Sequence, residues 1–190
     1  MGGAQERPLR ADAARNRARL LDVATEVFTT RGVNVPTEEI ARIAGVGVGT
    51  LFRHFPTKEA LLEAVMVRRL EAMAAQTAQL AAEAGPAEAF FACFRLVVEQ
   101  SAGKSEFAQA LAAAGVDVHA SLQGPTTEIQ ARLADLLTGA QQAGAVRPEL
   151  GLPEFIALLA GTGRAMEQLG SDPAPRERVF AVVFDGLRPR

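Results

Sequence analysis

The sequence contains little of the side-chain chemistry on which most enzymes depend. Its 190 residues include two histidines, one cysteine, no tyrosine and no tryptophan. The single cysteine, Cys93, has no partner for an internal disulfide, which is typical of proteins from a reducing compartment. No spacing of histidine, cysteine or carboxylate residues predicts a metal site, a nucleophile–base pair or a phosphate loop. We therefore expect no catalytic residue, no metal, no cofactor and no enzyme activity.

Long apolar runs are also missing. No stretch approaches the roughly 18 uninterrupted apolar residues of a membrane-spanning helix. The N-terminal segment, MGGAQERPLRADAARNRAR, is polar and lacks the apolar centre of a secretory signal peptide. These observations predict a cytoplasmic protein that makes no membrane contact.

The net charge is only -2, but it is distributed unevenly. Residues 1–60 contain nine Lys or Arg and seven Asp or Glu, whereas residues 61–190 contain eleven and fifteen. Five arginines and two acids fall within residues 1–19. We expect this basic arm, with Arg7, Arg10 and Arg15, to contact a polyanion. A merely solvated tail is the alternative.

Abundant alanine and leucine, with glycine and proline at intervals, predict about nine helices. The first covers roughly residues 12–31 and ends at Gly32, and Thr37 is the expected N-cap of a short second helix. A third short helix begins near Gly47 and stops before Pro56, and Thr57 caps a longer fourth. Breaks such as Gly124-Pro125 separate the rest, which are expected at roughly 86–101 (a central buried helix), 104–118, 125–143, 152–169 and 175–187.

Two short helices joined by a glycine-containing turn, behind a longer amphipathic helix, are typical of a helix-turn-helix DNA-binding head. Gly45 can adopt a positive φ in that turn, and Val46 can fill the space between the helices. The third helix starts with the small residues of Gly47–Thr50, so it can approach the major groove closely. Leu51 and Phe55, four residues apart, are expected to hold it against the core.

The stretch RLLDVATEVFTTRGVNVPTEEIARIAGVGVGTLFRHFPTKEALL resembles the N-terminal domain of the TetR family of transcriptional regulators, and the resemblance covers about residues 14–64. It implies an all-α fold with a three-helix DNA-binding domain (residues 1–55). A fourth helix would join it to an all-helical ligand-binding and dimerisation domain (residues 56–190). The resemblance further implies a homodimer through the last two helices, a palindromic double-stranded DNA operator, repression, and release by a small-molecule effector.

The resemblance also implies roles for individual residues of the head. The positions that face the operator are Thr37, Val48, Gly49, Thr50 and Arg53, and those that contact phosphates are Phe52, His54 and Lys58. Position 52 is usually tyrosine in this family, and Phe52 lacks the hydroxyl that would donate to a phosphate. Val48 can contact a thymine methyl, whereas Arg53 can grip guanine O6 and N7, so Arg53 is the expected main determinant of specificity. Simpler roles remain open for two residues, namely packing for His54 and a solvated helix start for Lys58.

For the C-terminal domain, the resemblance implies a mainly apolar ligand cavity among helices four to eight. The expected lining residues are Met66, Met73, Phe91, Phe94, Phe107, Leu111, His119 and Met166. A tightly packed core is the alternative for the same residues. Three functions follow in order of expectation: a ligand-responsive regulator, a DNA-binding dimer without a ligand, and a helical enzyme.

Overall fold

In the computed structural model, the described residues are 6–101, 104–114, 119–170 and 172–189, without the side chains of residues 6–11, 104–106, 108 and 119–121. Across these ranges the chain forms nine α-helices and no strand, which confirms the predicted all-α fold class. The helices are α1 (Glu6–Arg31), α2 (Thr37–Ile43), α3 (Val48–His54), α4 (Lys58–Glu83), α5 (Pro86–Ser101), α6 (Lys104–Ala113), α7 (His119–Gln142), α8 (Leu152–Leu169) and α9 (Pro173–Leu187).

Four helices differ in length from the prediction, namely α1, α6, α7 and α9. The helix α1 begins at Glu6 rather than near residue 12, so the basic arm is already helical there. The helix α6 ends at Ala113 rather than 118, and residues 115–118 lie outside the described part of the chain. The helix α9 begins at Pro173 because the Asp172 carboxylate accepts a hydrogen bond from the Ala174 N–H (3.0 Å), and a proline is tolerated at the first helical position.

The predicted break at Gly124-Pro125 is wrong, because α7 starts at His119 and continues through Pro125. A proline inside a helix removes one backbone hydrogen bond and crowds the preceding turn. Here the helix carries apolar residues on both sides of the proline: Leu122 packs against the core, and Ile129 and Leu133 are buried in it. Packing of this continuous stripe offsets the lost hydrogen bond.

One compact unit of the chain comprises Met1–Arg69 and Glu106–Ser121. Its apolar core unites α1, α2, α3 and the start of α4 with part of α6. Phe107 of α6 packs edge-on against Phe28 of α1, with ring centroids 5.9 Å apart. The core under the helix-turn-helix is therefore completed by a helix from much later in the sequence. The predicted domain boundary between residues 55 and 56 stays a prediction.

The other compact unit comprises Leu70–Ser105 and Leu122–Arg190, and α5 lies at its centre. Phe90 and Phe94 of α5 are fully buried, and Phe90 stacks on Phe155 of α8 at a centroid distance of 4.8 Å. Gly163 of α8 permits the close approach of α5, since a Cβ there would lie 3.2 Å from Ser101 Cβ. The prediction of a central, buried fifth helix is confirmed.

Candidate nucleic-acid interface

The turn between α2 and α3 is set by a Schellman motif at the end of α2. The Val46 N–H donates to the Ala41 carbonyl (3.0 Å) and the Gly45 N–H to the Arg42 carbonyl (3.1 Å). Gly45 has φ +66°, which a residue with a Cβ adopts only at a cost. A Cβ at Gly45 would lie 3.1 Å from Arg19 Nη2, so an arginine of α1 lies over this turn.

The helix α3 has one buried and one exposed face. Leu51 is fully buried and Phe55 is 2% exposed, as predicted, so these two residues fix the helix to the core of its unit. The opposite face exposes Val48 (37%), Phe52 (38%), Gly49 and Arg53. Thr50 and His54 are half-buried at the edges of that face.

The exposed face of α3 carries small residues at its N-terminal end and a basic residue at its C-terminal end. Nothing lies within 4 Å of where a Cβ would stand at Gly49, so the backbone is open to a close approach. Arg53 is exposed and forms no ion pair with any other described residue. A groove-sized helix with a free guanidinium can place hydrogen-bond donors against base edges.

The helices on either side of α3, namely α2 and α4, are capped differently at their N-termini. Thr57 caps α4 as predicted, its Oγ1 accepting a hydrogen bond from the Ala60 N–H at 3.1 Å, and the half-buried Lys58 follows as the first helical residue. The predicted capping role of Thr37 is wrong. Pro36 occupies the N-cap with φ −62° and ψ 143°, while Thr37 is already helical and 7% exposed, with Oγ1 3.4 Å from a Glu38 carboxylate oxygen.

Two arginines of α1 that the sequence interpretation did not single out lie beside the turn and α3. The Arg17 guanidinium lies over the Phe55 ring, 5.3 Å from its centroid, and Arg19 covers Gly45. Within the basic arm, Arg15 pairs with Asp12, and the side chains of Arg7 and Arg10 lie outside the described residues. A sequence feature could have revealed these two arginines, because they come just before the buried Leu20. If α1 is extended towards its N-terminus from Leu20, Arg17 and Arg19 lie next to the core.

Glu39 of α2 is paired with two arginines of the same unit. Arg31 Nη1 donates to Glu39 Oε1 at 2.9 Å, and Arg42 Nη2 lies 3.6 Å from the same oxygen. The hydrogen bond from Arg31 lowers the pKa of Glu39 below its ordinary value of 4.5. The carboxylate is thus ionised at neutral pH but paired, which limits its repulsion of a nucleic-acid phosphate.

The eight residues expected to line a ligand cavity are divided between the two units. Met66, Phe107 and Leu111 pack in the core of the unit that contains the helix-turn-helix. Met73, Phe94 and Met166 are buried in the core of the other unit, where the half-buried Phe91 contacts Phe184. The side chain of His119 lies outside the described residues. Their role in ligand binding stays a prediction.

The described residues show neither of two other classes of feature, a metal-ion cluster and a membrane-spanning helix. Within the described ranges, no cluster of three or more His, Cys, Asp or Glu residues is placed to hold a metal ion. Over those same ranges, none of the helices combines the length and apolarity needed to cross a bilayer.

Two short helices pack on the core and are joined by a turn at a glycine, and the second helix exposes a face of small and basic residues. This arrangement is that of a helix-turn-helix protein. Residues 20–65 match the family model of bacterial regulatory proteins of the tetR family. Residues 85–189 match the model described as transcriptional regulator SbtR-like, C-terminal domain. The chain belongs to the TetR family of transcriptional regulators, and is a DNA-binding transcription regulator.

Solved structures agree along nearly the whole chain. A TetR transcription regulatory protein from Mycobacterium vanbaalenii is 42% identical with a TM-score of 0.76, and the match covers 96% of this chain and 100% of that one. A TetR transcriptional regulator from Streptomyces coelicolor is 35% identical with a TM-score of 0.75, over 91% of this chain and 98% of that one.

A curated relative matches only in part. An HTH-type transcriptional regulator of Staphylococcus aureus is 38% identical over 73 residues, which is 38% of this chain and 40% of that protein. The chain thus spans about two fifths of the length of this curated relative.

Proposed function

We propose that this protein is a dimeric, cytoplasmic repressor that binds a palindromic DNA operator through α3 and is released by a small, largely apolar ligand. The observation that carries the DNA part of the proposal is the exposed face of α3, where the backbone is open at Gly49 and Arg53 forms no ion pair with another described residue. Phosphate contacts would surround this face: Lys58 and the backbone N–H groups at the start of α4 lie in the same unit.

The readout of sequence would rest on very few side chains. Val48 offers methyl groups to a thymine methyl, and Thr50 offers one hydroxyl. Arg53 can donate two hydrogen bonds to one guanine, a contact that discriminates against the wrong base by about 1–3 kcal/mol. Thr37 is buried, so only the small exposed edge of its side chain could make the predicted contact with the operator.

Replacement of Arg53 tests this assignment. Selection of bound sequences from a random DNA pool should show that Arg53→Ala relaxes the preference at one position of each half-site. Arg53→Lys is the matched control, because lysine keeps the charge and loses the paired donors. If Arg53→Lys retains both preference and affinity while Arg53→Ala loses affinity for every sequence alike, Arg53 contacts a phosphate and not a base.

Dimerisation is supported by apolar side chains that α8 and α9 leave at the surface. Leu158 of α8 is 37% exposed and Val182 of α9 is 72% exposed. A shallow depression beside Val182 is lined by Leu169, Pro175, Arg178, Val179 and Val183. Exposed apolar surface of this kind marks an interaction site, and a two-fold dimer matches a palindromic operator.

Charge placed on this surface tests the dimer. In analytical ultracentrifugation at micromolar concentration, the native protein should sediment as a dimer and Val182→Glu as a monomer, since an unpaired buried charge is strongly destabilising. Val182→Thr, which keeps the shape of the side chain, should remain dimeric. A native protein that is monomeric at this concentration would contradict the proposal.

Release by a ligand requires that the ligand favour a conformation with low affinity for the operator. A thermal-shift screen of small apolar compounds, followed by operator titration with each stabilising compound, tests this step. A stabilising compound that weakens operator binding supports it. If no compound class stabilises the protein, the alternative of a DNA-binding dimer without a ligand is favoured.

A further inference from the structure

We propose that this protein recognises its operator through thymine 5-methyl groups, which Val48 and Phe52 contact together from the exposed face of α3. This inference rests on the DNA binding through α3 proposed above, and it adds the chemistry that the operator must present. It also gives Phe52 a part in reading the sequence, in place of the phosphate contact that the family resemblance implies.

The helix α3 leaves two of its three large apolar side chains in contact with water. Val48 is 37% exposed and Phe52 is 38% exposed, whereas Leu51 is fully buried and holds the helix to the core. Among the described residues, the Phe52 ring stacks on no other ring and lies beneath no guanidinium. The core of this unit therefore does not use these two side chains, and they remain available to a bound partner.

The two exposed side chains lie on the same side of the helix. Residues four positions apart in an α-helix share a face, with their Cβ atoms about 5–6 Å apart. Gly49 follows Val48 and has nothing within 4 Å of an added Cβ, so no side chain at this position holds the backbone away from the groove. Successive bases of one strand lie about 3.4 Å apart along the DNA axis, so the pair matches two methyl groups about one or two base steps apart.

The chemistry of the two side chains selects thymine among the bases. The thymine 5-methyl is the apolar group that base pairs display in the major groove, where the other edge groups donate or accept hydrogen bonds. Phe52 has no polar side-chain atom, so it cannot donate a hydrogen bond to a phosphate. Against a different base, either side chain would take a polar group out of water without replacing its hydrogen bonds, which is unfavourable.

Deoxyuridine tests the contact, because it pairs as thymine does and lacks only the 5-methyl group. Sequences that the native protein selects from a random DNA pool should contain two thymines in each half-site, about one or two base steps apart. Replacing one of these thymines by deoxyuridine in both half-sites should weaken binding about 10–20-fold in fluorescence anisotropy, since each lost methyl contact costs about fourfold in affinity. Equal binding of the thymine and deoxyuridine duplexes would overturn the proposal.

Substitutions in α3 assign each methyl group to one side chain. Phe52→Ala should bind the deoxyuridine and thymine duplexes within about twofold of each other at one of the two positions, and keep the preference at the other. Val48→Ala should show the reverse, and Phe52→Leu is the matched control that stays apolar and should keep both preferences. If Phe52→Ala weakens binding to both duplexes alike, Phe52 contacts the sugar–phosphate backbone and the assignment is wrong.

Ile43 provides a control outside α3. It ends α2, is 41% exposed and belongs to the same unit. Ile43→Ala removes an exposed apolar side chain from the neighbouring helix and should leave the preference for thymine within about twofold of the native value. Loss of the preference in this variant would contradict an effect specific to α3.

Failure of this inference differs from failure of the proposed function. If the native protein selects a sequence and binds it tightly, but tolerates deoxyuridine at every position, operator binding stands and the thymine contact is refuted. If the native protein selects no sequence from the pool, operator binding is refuted and the thymine contact with it.

Discussion

Replacement of Gly45 by alanine is the sharpest test of how the head is held together. Gly45 has φ +66°, and an L-residue with a Cβ pays about 1–2 kcal/mol in this region. The new Cβ would also lie 3.1 Å from Arg19 Nη2, but this atom is the tip of an exposed, flexible side chain and can move at little cost. The backbone term therefore dominates, and the free energy of unfolding should fall by about 1–2 kcal/mol.

The measurement is thermal unfolding followed by circular dichroism. For a chain of this size, 1 kcal/mol shifts the melting temperature by about 2–4 °C, so Gly45→Ala should melt about 2–8 °C lower. Gly144→Ala measures the backbone cost alone, since Gly144 has φ +68° and nothing within 4 Å of its added Cβ. A much larger loss at Gly45 than at Gly144 would show that the Arg19 contact is rigid.

Gly49→Ala is a control in which the free energy of unfolding should change in the opposite direction. Gly49 lies in the first turn of α3 with nothing within 4 Å of an added Cβ, so alanine should stabilise that helix by about 0.5–1 kcal/mol. The same methyl group lies on the proposed DNA-facing surface, so operator binding should not improve with stability. The reasoning is refuted if Gly45→Ala melts with the native protein, or if Gly49→Ala destabilises as much as Gly45→Ala.

Two further outcomes are expected from the same unit. Phe55→Ala removes a ring that is 2% exposed and should lower the free energy of unfolding by about 3–5 kcal/mol in urea titration, whereas a loss below about 1 kcal/mol would mean that the ring does not anchor α3. Because the folded-state pKa of Glu39 lies below 4.5, the stability from its hydrogen bond with Arg31 is complete above that pH and is lost as the pH falls further. The urea midpoints of native protein and Glu39→Gln should therefore converge on acidification below pH 4.5, and a difference that stays constant with pH would contradict this.

Much of the head was predictable because its signals are local. Gly45 after an apolar helix, Thr57 three residues before Ala60, and the four-residue spacing of Leu51 and Phe55 each specify one turn of backbone, and all three were confirmed. Local signals gave a wrong prediction where packing against distant parts of the chain determines the structure. The proline at position 125 predicts a break, yet α7 continues because its apolar stripe is buried on both sides of it.

The sequence by itself determined the class of fold, the face of α3 that stays exposed, and the family, since these depend on periodicity, on glycine and on a contiguous motif. Only the tertiary structure decided which distant groups meet. It placed Arg17 on Phe55 and Arg19 over Gly45, and it brought Phe107 of α6 under the helix-turn-helix. It also set Ala81 and Arg132 around one cleft. Such neighbours depend on how whole helices pack, and no spacing within a short segment encodes that.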